Sequence, residues 1–416
     1  MDTFDNKIKY LVGNEGFIKS SAETPAIPMF SDKAVDFLSE LSRELLTISG
    51  IRNHMDVMSY AYWIRRASLE QARKEFVRDG ITRIGRGVAF HIAPSNVPVN
   101  FAVSMTSALL AGNICIVRVS NKEFEEVEII CAAINRTFEK PEFADMRRYI
   151  CIVRYEHSDE ITAYLSSICD IRIIWGGNRT IQQIRKCPIP PRAIEMCFAD
   201  RHSVAVLDTA AYLKAAQGAG GATFVKDIAK KFYTDTYYTD QNACSSPRIV
   251  VWLNSDGDIE SDELATAQRL FWDALEKDVA ARYELQPIQA IDKLSMVTEL
   301  AMKQDGVRLT QRSNKLFIID IDNLTADVMD YKMSGGYFFQ YKAASLSEIT
   351  SILGKKCQTI AVFGIDKRAV VDFTLEKGVR GVDRVVDIGD TMGLEFTWDG
   401  FRMIEAMSRV IYIYER

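Results

Sequence analysis

One cysteine is set apart from the others. Cys244 lies in Tyr237-Tyr238-Thr239-Asp240-Gln241-Asn242-Ala243-Cys244-Ser245-Ser246-Pro247-Arg248, among small and polar residues and directly before an apolar run. The remaining seven, at positions 115, 131, 151, 169, 187, 197 and 357, lie in or beside apolar runs, where a thiol behaves as a small hydrophobe. An accessible thiol in a polar loop is what a thiolate nucleophile requires, although a loop cysteine can equally be unreactive. No two cysteines are closer than the ten residues from Cys187 to Cys197, so zinc-ribbon and CxxC redox spacings are absent and no metal site is expected. None of the four histidines pairs with a carboxylate in a recognisable triad, and each is read as structural.

Three further groups could bind or polarise a substrate. Asn96, in Pro94-Ser95-Asn96-Val97-Pro98, follows an apolar run. An amide there can donate to a developing oxyanion, and the same residues also make an ordinary turn. Trp175-Gly176-Gly177-Asn178 follows another apolar run and opens a helical stretch, leaving backbone N–H groups where a phosphate can sit. It is not GxGxxG, and Gly85-Arg86-Gly87, with Phe90 in the third glycine's place, fails that pattern too. Arg118-Val119-Ser120-Asn121-Lys122 puts two cations at the end of a third run. They could reach a ribose or its 2′-phosphate, or form a solvated turn.

These groups need elements to hold them. Over 87–93, 114–117, 150–153 and 171–175 the chain reads as buried strands, with helices over 99–111, 124–138, 158–168 and 179–186 between them. Ser158 is the expected cap of the third of these helices. Repeated βα units with continuous apolar strands imply a parallel sheet covered on both faces, with ligands at the carboxyl ends of the strands. A second series begins with a strand over 203–207 and continues with strands over 248–253, 315–320 and 357–363, and helices over 261–282 and 367–377. Residues 1–80 read as mostly helical, 43–66 as one helix-like stretch continued by 69–77.

The 416 residues carry 51 Lys and Arg against 56 Asp and Glu, a formal charge of −5, with 48% hydrophobic and 26% charged residues. This is an ordinary globular composition, long enough for two to three domains. It lacks the basic balance of a dedicated nucleic-acid binder. No charged residue occurs from 87 to 117, but Pro94, Pro98, Gly112 and Asn113 break that run into short pieces. It is therefore read as soluble core and not as a membrane span. The start, Met1 to Asn6, has no basic and apolar leader, and a cytoplasmic location with reduced thiols is expected.

Taken together and in order, these segments resemble the aldehyde dehydrogenase superfamily. The closer similarity is to the acyl-CoA reductase family typified by the fatty-acid reductase subunit of bacterial bioluminescence. It is carried by His91-Ile92-Ala93-Pro94-Ser95-Asn96-Val97-Pro98-Val99-Asn100-Phe101, the Trp-Gly-Gly turn, Gln241-Asn242-Ala243-Cys244-Ser245-Ser246-Pro247 and Trp398-Asp399-Gly400, and covers residues 85–416. The resemblance implies an α/β, aldehyde dehydrogenase-like fold, with two Rossmann-like doubly wound domains and the active site in the cleft between them. Residues 1–200 would be N-terminal helices plus the NAD(P)-binding domain, 201–390 the catalytic domain, and 391–416 a segment that can return to the first domain.

It also implies roles. Cys244 would be the nucleophile and Asn96 the oxyanion donor, with Ser95, Arg118, Ser120, Lys122, Trp175, Gly176 and Gly177 at the cofactor. Arg118 and Lys122 tip the cofactor toward NADP(H) over NAD(H). Two places differ from the superfamily pattern. In Ala193-Ile194-Glu195-Met196-Cys197-Phe198-Ala199-Asp200, Cys197 and not Glu195 stands where the general-base Glu is usual. Met333-Ser334-Gly335-Gly336 has no carboxylate where one usually holds the nicotinamide ribose.

The implied reaction is NAD(P)H-dependent reduction of an acyl thioester, on coenzyme A or on a protein, to an aldehyde. The alternatives are an aldehyde dehydrogenase with Glu195 activating water, and an acyl-carrying subunit of a reductase complex. A homo-oligomer and an acyl-activating partner enzyme are compatible with each reading.

Overall fold

The computed structural model describes residues 7–254 and 261–414; residues 1–6, where the absence of a leader was read, lie outside them. The chain divides into two compact units, 1–200 with 394–416, and 201–393.

The first unit opens with β1 (Lys9–Val12) and α1 (Glu15–Ser20), then α2 (Asp32–Leu46), α3 (Met55–Trp63) and α4 (Arg66–Phe76). The helix-like stretch over 43–66 is thus broken. Thr47-Ile48-Ser49-Gly50 is a poor helix former, and Gly50, at φ +79°, turns the chain in the left-handed region. The N-terminal region also holds a strand that the helical reading passed over, since β1 pairs antiparallel with the later β5.

After β2 (Thr82–Gly85) the expected alternation appears: β3 (Val88–Ile92), α5 (Asn100–Leu110), β4 (Ile114–Arg118), α6 (Glu125–Glu139), β5 (Ile150–Arg154), α7 (Asp159–Ser167), β6 (Ile171–Trp175), α8 (Asn178–Ile184) and β7 (Ile194–Phe198). The Ser158 side chain caps α7 by accepting from the Ile161 N–H. All residues of β3, β5 and β6 are buried, which is why these strands read as nearly unbroken apolar runs. The uncharged run is resolved as strand, bend, helix and strand. Every residue of α5 after Asn100 is buried. Gly112 (φ +97°) makes the turn into β4, where a Cβ would sit 1.9 Å from the Ile27 carbonyl oxygen. The sheet order is β1-β5-β4-β3-β6-β7, parallel except for β1.

The second unit runs β8 (His202–Asp208), α9 (Thr209–Gln217), α10 (Gly221–Thr236), β9 (Pro247–Leu253), α11 (Asp262–Arg282), α12 (Pro287–Lys303), β10 (Val307–Ser313), β11 (Leu316–Ile321), β12 (Tyr337–Ala343), β13 (Cys357–Phe363), α13 (Lys367–Lys377) and β14 (Arg384–Asp387). Its sheet order is β10-β11-β12-β9-β8-β13-β14, with only the β10–β11 pair antiparallel. Apolar clusters cover both faces: Phe317, Ile319 and Phe339 face one, Trp252, Phe271 and Phe338 the other.

The chain then returns to the first unit. β15 (Thr397–Trp398) and β16 (Phe401–Arg402) form a hairpin, followed by α14 (Met403–Met407) and β17 (Ser408–Ile411), which pairs antiparallel with β2. Among the described residues no helix is long and apolar enough to cross a membrane.

Candidate active site

In the first unit the order β4-β3-β6 brings three of the singled-out segments together. β3 pairs parallel with β4 on one side and β6 on the other. The carboxyl ends of these three strands therefore carry Arg118, the 95–96 bend and Gly176-Gly177 side by side. This is the switch point of a doubly wound sheet, where the strand order reverses. Ser95 and Asn96 are exposed.

The Arg118 guanidinium lies over the Tyr155 ring, 4.7 Å from its centroid, and donates to the Tyr155 carbonyl at 3.3 Å. Ser120 is held within its own turn, its Oγ accepting from the Lys122 N–H at 3.2 Å. Lys122 is exposed, over the Phe124 ring. Trp175 stacks flat on Phe198, with centroids 3.8 Å apart and planes at 9°. Its indole N–H donates to Ser104 Oγ at 3.0 Å, and the same oxygen lies 2.7 Å from His91 Nδ1. His91 is fully buried and neutral, burial taking its pKa down to about 3. Its Nε2 has no hydrogen-bond partner.

The glycine turn leaves open space beside the start of α8. Gly177 has an ordinary φ of −65°, and a Cβ added there would meet nothing within 4 Å. Glycine at this place is thus not demanded by the fold, and it leaves open the space that a side chain would fill.

In the second unit Cys244 precedes β9, at the amino end of the parallel strands. The expectation of ligands at the carboxyl ends of the strands does not describe its place. The loop is made by side chains. Asp240 and Gln241 both take positive φ, +51° and +54°, which costs about 1 kcal/mol or more each for residues with a Cβ. Neighbours hold that shape. The Gln241 amide oxygen accepts from the N–H groups of Gly336 (2.8 Å) and Tyr337 (3.1 Å), and its amide donates to the Tyr337 carbonyl. Buried Arg248 donates to the carbonyls of Gln241 and Met333. Asp240 accepts from Tyr283 and Gln289. Downstream, Ser203 Oγ donates to the Cys244 carbonyl at 2.8 Å. Cys244 itself is half-buried.

None of the eight cysteines is in a disulfide, and six are buried. Cys197 is the second half-buried one, so six and not seven are plain packing residues. Its thiol lies 3.3 Å from Glu195 Oε1 and 3.5 Å from Arg185 Nη2. Burial first, and then Glu195, push it up to about 11. A thiol at that value is neutral near pH 7 and is neither a base nor a nucleophile. Glu195 is engaged as well. Buried Arg172 donates to it at 2.9 Å and Arg185 at 2.6 Å, which hold it in the charged form against its burial. Its carboxylate is occupied as an ion-pair partner, which tells against its use as a base toward water.

Lys293 was not singled out from the sequence, yet it supports the Cys244 loop. Fully buried on α12, it donates to the carbonyls of Asn314 (2.7 Å) and Gly335, the residue before Gly336. The signal was present: Lys293 is in phase with Val297 and Leu300, the buried stripe of the helix. Burial lowers its amine to about 8, from an ordinary 10.5. Between those values the unfolded chain binds the proton more tightly than the folded one. The cost of burying the charge is therefore present below pH 8 and is relieved as pH rises. This group should add about 2 kcal/mol of stability between neutral pH and pH ~9.5. Denaturant titrations of the wild type and Lys293→Met at the two pH values test it, because the variant should lose that increment; an equal pH response in both would refute the assignment.

The fold has known counterparts. The chain superposes on an NAD-dependent benzaldehyde dehydrogenase from Corynebacterium glutamicum with a TM-score of 0.61, at 16% identity, covering 96% of this chain and 88% of that one. For an indole-3-acetaldehyde dehydrogenase complexed with NAD+ the TM-score is 0.65 at 12% identity, covering 95% and 87%. The architecture is thus that of the aldehyde dehydrogenases, two α/β units each with a doubly wound sheet.

In sequence it is 26% identical over 200 residues to long-chain acyl-protein thioester reductase 2 of Photobacterium leiognathi, covering 47% of this chain and 38% of that protein. It is 25% identical over 188 residues to the long-chain acyl-protein thioester reductase of Photorhabdus luminescens, covering 44% and 35%. The aligned part spans well under half the length of these relatives. Residues 21–410, nearly the whole chain, match the family described as acyl-CoA reductase (LuxC), and the chain belongs to that family.

Proposed function

We propose that this protein reduces an acyl thioester to an aldehyde, with Cys244 accepting the acyl group. The observation that carries the reading is the Cys244 loop. It presents a half-buried thiol in a loop pinned by Gln241, Arg248 and Ser203, while burial and Glu195 push the other half-buried thiol, Cys197, up to about 11.

The Cys244 thiolate attacks the thioester carbonyl and expels the thiolate of coenzyme A or of an acyl-carrying protein, leaving an acyl-enzyme. The Asn96 amide, with a backbone N–H beside Cys244, takes the charge of the tetrahedral oxyanion. A reduced nicotinamide held by the cofactor residues would supply the hydride needed to reduce the acyl-enzyme to a thiohemiacetal. Collapse of that adduct releases the aldehyde and restores the thiolate. Neither Cys197 nor Glu195 offers a base that would activate water, and this protects the acyl-enzyme from hydrolysis to acid. Ser95, Ser120, Trp175, Gly176 and Gly177 would seat the cofactor, with Arg118 and Lys122 favouring NADP(H) over NAD(H).

Intact-mass measurement after mixing with a panel of acyl-CoAs, followed by addition of NADPH or NADH, tests the reading. An adduct mapping to Cys244 that disappears as aldehyde forms is the expected result. Free carboxylate made from aldehyde without coenzyme A would replace this reading with that of an aldehyde dehydrogenase.

A further inference from the structure

The last turn of α10 carries a buried charge that neither the catalytic scheme nor the core requires. Asp235 is fully buried, and its two oxygens accept from the backbone N–H groups of Gly389 (2.6 Å) and Thr391 (3.1 Å). Among the described residues no lysine or arginine is paired with it. An uncompensated carboxylate in the interior is costly, and burial accordingly raises it to about 6. Asn or Ser could fill similar space without that cost, so the charge is informative about what it holds.

It holds the loop after β14. This loop doubles back on its own strand, with Arg384 donating to the carbonyls of Thr391 (3.2 Å) and Gly393 (3.4 Å). Asp235 takes N–H groups of the loop and Arg384 takes carbonyls, so side chains define its shape where no secondary structure does. Gly389, at φ +106°, lies so close to α10 that a Cβ would come within 2.8 Å of the Lys231 side chain, one turn before Asp235. From this loop Met392 reaches the Cys244 segment, where its sulfur accepts from Ser245 Oγ at 3.7 Å. Ser245 is buried and directly follows Cys244.

We propose that Asp235 is a positioning residue for acylation: with Arg384 it sets the 389–393 loop, and through Met392 it fixes the backbone at Cys244-Ser245. The proposal rests on the reading of Cys244 as the acyl acceptor. A thioether on a flexible stem is a soft restraint by itself, and a loop clamped from two sides makes it a defined one. Asp235 touches no reacting atom and acts through Met392 and Ser245.

The test is the single-turnover rate at which an acyl-CoA loads Cys244, in the full chain, for Asp235→Asn, Arg384→Met, Met392→Ala and the Asp235→Asn/Met392→Ala double variant. Each single change should slow acylation by about tenfold while leaving cofactor affinity unchanged, and the double should be no slower than the worse single, because both act along one path. A general loss of packing would instead multiply the two effects, and multiplication overturns the proposal, as does acylation of both clamp variants at the wild-type rate. Arg384→Met keeps the test open if Asp235→Asn does not fold, since it releases the same loop from its other side. Failure of the wild type to form any Cys244 adduct would overturn the underlying reading of the nucleophile, a result distinct from acylation that the variants leave unchanged.

Discussion

Cys244→Ala is expected to abolish the acyl adduct and to lower aldehyde formation by on the order of 10⁴-fold or more, the scale seen when a covalent nucleophile is removed. The size of the effect follows from the lack of a substitute. Cys197, the other half-buried thiol, is pushed up to about 11 and faces Glu195, so at neutral pH it supplies almost no thiolate. The remaining thiols are buried. Stability should change little, because the loop is anchored through the Gln241 side chain, the Arg248 guanidinium and the Ser203 hydroxyl, all of which bond backbone groups that the substitution leaves in place. Aldehyde measured in a single turnover, alongside intact mass, gives a direct reading. Turnover in the alanine variant at even a hundredth of the wild-type rate would remove Cys244 from the mechanism.

Asn96→Ala should cost about 10²- to 10³-fold in kcat, the usual loss when an oxyanion donor is removed. Asn96 is exposed, on a bend at the carboxyl end of β3. Truncating it removes an amide without opening a cavity, and the thermal midpoint should stay near that of the wild type. KM for the thioester should change far less than kcat, since a donor aimed at developing charge acts on the transition state and not on the ground state. Asn96→Asp should do at least as badly, because a carboxylate offers no donor. A loss confined to KM would show that Asn96 binds substrate and does not stabilise charge.

The sheets were legible where burial is complete. β3, β4, β5 and β6 are nearly unbroken apolar runs because both faces of the sheet are covered, and their spacing already implied helices between them. β1, β12 and α12 were passed over for different reasons. β1 is four residues with a lysine at its start, and β12 mixes Gln340 and Lys342 into an aromatic strand. α12 has isoleucines on its exposed face, which hides its buried stripe.

At the site, Cys244, Asn96 and the glycine turn stood out by residue type and by what flanks them. The supports did not. Gln241, Lys293 and Asp235 are polar residues that a sequence assigns to solvent, and their partners lie 95, 42 and 154 positions away. Such contacts leave no local pattern. The positive φ of Asp240 and Gln241 is equally silent, since neither is the glycine that would announce it.

The first unit is assembled from two stretches separated by the whole of the second. β17 pairs with β2, the Asn113 amide donates to the Met407 carbonyl, and Arg83 donates to the Glu405 carbonyl. During synthesis, residues 201–393 are therefore complete as a contiguous block before the first unit has its last strand. That unit must wait, with the buried helix α5 lacking its α14 neighbour, until residues 403–411 emerge from the ribosome. Long-range closure of this kind is slow and leaves apolar surface open meanwhile. The vulnerable species in the cell is thus a nascent chain with a finished second unit and an unclosed first one.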